Sequence, residues 1–122
     1  MKKQGDTLHL VLKTEWFRKI ATGEKREEYR EIKPYYLSRF CTKEWKLAYD
    51  RVTTDIKYAK SALFTFPRKY KYVVFQEGYR HNAPKIRFYV DGISIGHGDP
   101  KLGAPAEECF IIKLGTMIPM SL

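Results

Sequence analysis

Hydrophobic residues alternate at Leu8, Leu10 and Leu12 and then change spacing at Trp16, Phe17 and Ile20, so the chain opens with a strand over 8–13 and a helix over 14–22. Thr14 is placed to cap that helix with its hydroxyl, Glu15 suits the first turn, and Gly23 suits a left-handed exit. From Glu27 to Ile32 the pattern is extended. Period two puts Glu28 and Arg30 on one face there and gives Lys25 the opposite parity. The three side chains converge only if a bend or bulge lies between Lys25 and Glu28.

Pro34 is tolerated in a helix's first turn and starts a second short helix containing Tyr35, Leu37, Arg39 and Phe40. Residues 45–60 carry mixed signals that fit either another helix or an irregular insertion. Tyr70–Gln76 is rich in aromatic and β-branched residues and reads as a central strand ending at Glu77, Gly78 and Tyr79, with a turn from Arg80 to Pro84. Lys85–Ile95 alternates Ile86, Phe88 and Val90 against Lys85, Arg87 and Tyr89, and Gly92 suggests a bulge. Glu108–Leu114 is the last strand. Gly92, Gly96, Gly98 and Gly103 surround His97 and Asp99 without the spacing of a phosphate loop, so this stretch reads as a turn. Several strands, two early helices and no βαβ rhythm point to an α+β fold, a small mixed β-barrel with two or three short helices.

With 122 residues, 43% of them hydrophobic, the chain fits a single domain over 1–122 with one core. It contains no apolar run of membrane-spanning length, and Lys2 and Lys3 are followed too soon by Gln4, Gly5 and Asp6 for a signal peptide. A cytoplasmic monomer without a membrane partner is expected. Cys41 and Cys109 are far apart and unpaired in spacing, which fits reduced packing residues. His9, His81 and His97 are scattered, so neither a metal nor another cofactor is expected. No G-x-S-x-G or comparable nucleophile motif is present.

Charge changes the picture. Residues 1–80 hold 19 basic and 10 acidic side chains, whereas residues 81–122 hold four of each, so the whole excess of +9 lies in the first two thirds. Within it, 56–76 carries Lys57, Lys60, Arg68, Lys69 and Lys71 with no carboxylate, interleaved with Tyr58, Phe64, Phe66, Tyr70, Tyr72 and Phe75. Cations alternating with flat rings suit a nucleic-acid strand, because cations displace phosphate counterions and rings stack on bases. The competing reading is a solvated basic loop with half of these rings in the core.

The octet Gly23–Arg30 reads G-x-K-x-x-E-x-R. Following the strand of Leu8–Lys13 and the helix bearing Trp16 and Phe17, it resembles the signature of the ASCH domains, relatives of the PUA domains. Glu31-Ile32-Lys33-Pro34-Tyr35-Tyr36 is similar to a common continuation, and Val73–Tyr79 to a later strand ending in Gly-Tyr. The resemblance covers 8–40 and, more weakly, 70–115; it leaves 41–67 as an insertion. It implies a PUA-like barrel with a pocket lined by Lys25, Glu28 and Arg30 that receives RNA or a modified nucleoside.

In such a pocket Arg30 can fork onto a phosphate or base carbonyl, Lys25 supplies a point charge and Glu28 accepts from a base amino group. Tyr29 or Tyr79 can stack on the ring, with Arg80 beside it at a strand end. Some ASCH proteins resemble amidohydrolases of acetylated cytidine that use the motif lysine, a threonine three residues on and a downstream glutamate. Lys25 matches the first role, but Glu28 stands where the threonine would be, so that hydroxyl is absent. The enzymatic alternative is therefore a nucleoside amidohydrolase or ribonuclease in which either a buried Lys25 acts as base, or Glu28 activates water while Lys25 and Arg30 steady an oxyanion. A third alternative is a protein-interaction module whose basic face meets an acidic partner.

Overall fold

The computed structural model describes residues 5–48 and 56–120. The elements are β1 (Thr7–Leu12), α1 (Thr14–Ala21), β2 (Glu27–Arg30), α2 (Pro34–Phe40), a single turn α3 (Trp45–Ala48), α4 (Ile56–Thr65), β3 (Tyr72–Glu77), β4 (Lys85–Gly96), a short 3₁₀ turn (Pro100–Leu102) and β5 (Cys109–Ile118). The fold is α+β with a five-stranded mixed sheet in the order β1-β3-β4-β5-β2. β1 runs parallel to β3, with Leu8 opposite Val73 and Leu10 opposite Phe75, whereas β3 and β4 are antiparallel. Among the described residues no helix is long and apolar enough to cross a membrane.

The chain forms two compact units. The first takes residues up to Glu28, Tyr70–Gly92 and the part from Ile112 on; the second takes Tyr29–Lys69 and Ile93–Ile111. The core of the first follows from strand parity: Leu8, Leu10, Leu12, Val73 and Phe75 are buried, joined by Phe17 and Ile20 from α1 and by Phe88 from β4. Phe75 and Phe88 meet edge to face with centroids 6.1 Å apart. The core of the second holds Leu37 and Phe40 of α2, Ala59 and Ala62 of α4, Trp45, Cys41, Cys109 and Phe110. Phe40 packs edge to face on Phe110 at 4.8 Å.

α4 resolves part of the ambiguous stretch 45–60 as a helix, and its register explains how. Ala59 and Ala62 face inward, leaving Tyr58 and Phe64 exposed. The portion at 49–55 lies outside the described residues.

The start of α1 departs from expectation. Lys13, with an extended backbone, occupies the N-cap position and no side chain caps the helix; Thr14 is already the first helical residue, one position too far inside. Gly23 takes the expected left-handed backbone at φ 85°. The His97–Gly103 turn also forms. Asp99 accepts from the Lys101 N–H at 2.9 Å, and Gly103 closes the 3₁₀ turn at φ 96°. Cys41 and Cys109 are free and buried.

Candidate ligand-binding site

The geometry of the octet is set by how the chain leaves α1. Thr22 N–H bonds the Arg18 carbonyl at 3.0 Å, Gly23 N–H the Ile20 carbonyl at 3.1 Å, and Lys25 N–H the Lys19 carbonyl at 2.9 Å. The backbone therefore turns back across the helix end and satisfies carbonyls that a helix terminus leaves open. Lys25 precedes the strand, so strand parity does not govern its side chain. It is 2% exposed, and its ammonium lies 3.2 Å from Oε1 of Glu28, itself 5% exposed. Lys25 Nζ also sits 4.7 Å from the centre of the Trp16 ring, on the preceding helix.

Lys25, but not Glu28, lines a cleft of about 380 Å³. Lys25, Arg26, Thr22 and Thr116 contribute polar groups, and Phe88 and Met117 are among its apolar walls. Its size falls within the roughly 300–1,000 Å³ of small-molecule sites, and an apolar wall with a few convergent polar groups suits a flat heterocycle. The Arg26 carbonyl accepts from Leu114 N–H at 3.1 Å, which ties the octet backbone to β5 at the cleft. Arg26 is exposed there.

The last two octet residues, Tyr29 and Arg30, belong to the second unit. Tyr29, expected to stack on a ligand, is 8% exposed and packs with Ala104 and Cys109; its ring lies so close to Gly98 that a side chain there would collide with it. That burial leaves little of its ring accessible. Arg30 donates through Nη1 to the Tyr36 hydroxyl at 2.9 Å.

Tyr79 and Arg80 lie in the first unit, at the end of β3. Tyr79 is 87% exposed. Arg80 donates through Nη2 to Oε1 of the buried Glu77 at 3.1 Å, and Arg18 Nε lies 4.0 Å from Oε2 of the same carboxylate. Glu77 and Arg18 were missed by sequence reasoning. Period two does place Glu77 on the inward face with Val73 and Phe75, and a carboxylate at such a position needs cationic partners.

The basic run is divided. Lys57, Lys60, Arg68 and Lys69 belong to the second unit and Lys71 to the first. Lys60 pairs with Glu108 at 2.9 Å, and Arg68 Nε donates to the Ser38 carbonyl at 3.3 Å; Lys57 and Lys69 are exposed. A hydrogen bond with Tyr72 raises the pKa of Lys71 above the ordinary lysine value. Of the interleaved rings, Phe75 is core, whereas Tyr58 is half exposed and Phe64 89% exposed.

Comparison of the chain with protein-family models, with curated proteins and with solved structures found no match.

Proposed function

We propose that the chain is an ASCH-type, PUA-like module that binds RNA or a nucleotide-like ligand, with a base received in the Lys25 cleft. The observation that carries this reading is the buried Lys25, held 3.2 Å from Glu28 and lining a cleft of about 380 Å³ whose walls also include Arg26, Thr116, Phe88 and Met117. An ammonium held by a carboxylate and an aromatic ring is fixed in place before a ligand arrives, which lowers the ordering cost of binding. The lysine offers donors to base carbonyls, and the glutamate holds its ammonium in place. The excess of +9 supports an anionic partner, and the exposed cations and rings of 57–69 supply phosphate and stacking contacts on the second unit.

The test is binding of a labelled ten-nucleotide single-stranded RNA, and of free nucleoside monophosphates, to the wild type and to Met117→Trp. That substitution narrows the cleft while leaving the ion pair untouched. Salt-sensitive RNA binding by the wild type, weakened at least fivefold in the variant, supports the reading. A wild type that binds neither RNA nor nucleotides at low salt overturns it. Turnover of an acetylated nucleoside that Lys25→Ala abolishes would move the assignment to a hydrolase.

A further inference from the structure

Helix α2 carries an assembly of tyrosines and cations that plays no part in the cleft. Tyr35 and Tyr36 meet edge to face, with centroids 5.0 Å apart at 83°. Tyr36 is stacked on Phe40 at 5.9 Å, its hydroxyl accepts from Arg30 at 2.9 Å, and the Lys33 ammonium is 5.3 Å from its ring centre. Tyr36 is thus held on several sides. Tyr35, by contrast, is 59% exposed although it is also held: its hydroxyl accepts from Arg39 Nη1 at 3.0 Å, with the guanidinium carbon 5.9 Å from the ring centre.

The segment after α4 adds a further cation. Arg68 N–H bonds the Phe40 carbonyl at 2.9 Å and its Nε donates to the Ser38 carbonyl, which fixes Arg68 against the C-terminal half of α2. Arg30 and Lys33 thus flank Tyr36, Arg39 holds Tyr35, and Arg68 lies against the C-terminal half of the same helix; the carboxylate of Glu31 is 4.0 Å from Lys33, and that of Glu44 feels the charge of Arg68.

We propose that this face of α2 is a stacking platform for single-stranded nucleic acid, with a base on the exposed ring of Tyr35 and flanking phosphates on Lys33, Arg39 and Arg68. The inference rests on the RNA reading above but uses none of the cleft residues. Two features select a nucleic-acid strand over an acidic peptide. A peptide carboxylate is satisfied by the cations alone, whereas an exposed ring held by a hydrogen bond and an edge contact loses little freedom when a base stacks on it. The phosphates then complement a surface rich in positive charge.

Anisotropy with the same labelled ten-nucleotide RNA tests the platform, using wild type, Tyr35→Ala, Tyr35→Phe, Arg39→Ala and Met117→Trp, each checked for native circular dichroism. Tyr35→Ala is expected to lose about tenfold in affinity and Tyr35→Phe, which keeps the ring, to stay within about threefold. Arg39→Ala is expected to reduce the slope of log K against log salt by about 0.7, one phosphate contact on a single strand. If the wild type binds and Met117→Trp weakens it while Tyr35→Ala matches the wild type, the platform is overturned and the cleft reading stands. If Tyr35→Ala weakens binding and Met117→Trp does not, the platform stands alone. A wild type that binds no RNA overturns the platform, and the cleft reading falls with it only if nucleoside monophosphates do not bind either.

Discussion

Lys19 and Glu24 meet at 2.7 Å on the surface of the turn after α1, whereas Lys25 and Glu28 meet at 3.2 Å in the interior. The shorter pair is the less consequential one. In water the gain from bringing two exposed charges together nearly cancels against their hydration and side-chain entropy, so such a pair contributes little. Away from water each charge depends on its partner, and removing one leaves the other stranded. The same contrast separates the two ends of the octet. Lys25 and Glu28 are buried and bound to each other in the first unit, while Arg30 in the second is only half buried and donates to a tyrosine hydroxyl. Desolvation, more than distance, decides how much the fold depends on a charged pair.

The largest expected effect comes from stranding the buried ammonium. Glu28→Ala should lower unfolding free energy by about 3–5 kcal/mol, and the double variant Lys25→Met, Glu28→Leu should recover much of that loss, because two apolar side chains carry no unpaired charge. Urea denaturation of the three proteins measures both numbers. A cost below about 1 kcal/mol for Glu28→Ala would put this pair in the class of exposed ones and end the contrast.

Packing without charge offers a control in the second unit. A Cβ on Gly98 would lie 2.6 Å from the Ala104 Cβ and would also meet the Tyr29 ring. Gly98→Ala should therefore cost about 1–3 kcal/mol through overpacking, read as a shift in urea midpoint at unchanged slope.

Cys41 shows desolvation acting on a titratable group. Burial pushes its thiol up from 9.0 to about 11, with Arg68 opposing that shift. Because the folded state favours the neutral thiol, its contribution to stability is fully present below pH 9 and is lost as pH rises through about 11. Between those values Cys41→Ser should show a flatter decline of unfolding free energy with pH than the wild type. Alkylation of native protein at pH 8 should leave Cys41 unmodified, since the thiolate is the reactive form.

The smallest effect is predicted for Glu24→Gln. It removes the charge that helps raise the pKa of Lys19 and leaves only a neutral amide oxygen to accept from the ammonium, yet both groups remain in solvent. The urea midpoint should not move measurably, and a clear loss would blur the distinction between the two pairs.

Much of the fold was legible in short-range patterns. The alternation of Leu8, Leu10 and Leu12, the proline opening α2, and the glycine at the end of α1 each act within one or two turns of chain, so propensity and periodicity identify them. The Thr14 cap failed because a one-residue shift of a helix start is decided by backbone geometry that several residues satisfy equally. The site was only partly legible. The motif singled out Lys25 and Glu28, but the buried role of Tyr29 depends on Gly98 and Ala104, some seventy residues away. The α2 assembly escaped notice as a site because Tyr35 and Arg39 are ordinary helix residues until their hydrogen bond and exposure are seen.

The sequence by itself determined the residue types on offer: an excess of cations confined to the first 80 residues, rings interleaved among them, and a lysine and glutamate three apart after a helix-ending glycine. Tertiary structure alone decided which charges lost their water. It turned the chain back across α1 to bury Lys25 against Glu28, and it seated Arg68 against α2 while leaving Tyr35 on the surface. The physical reason is that periodicity describes neighbours along one element, whereas desolvation depends on every element that packs around a side chain.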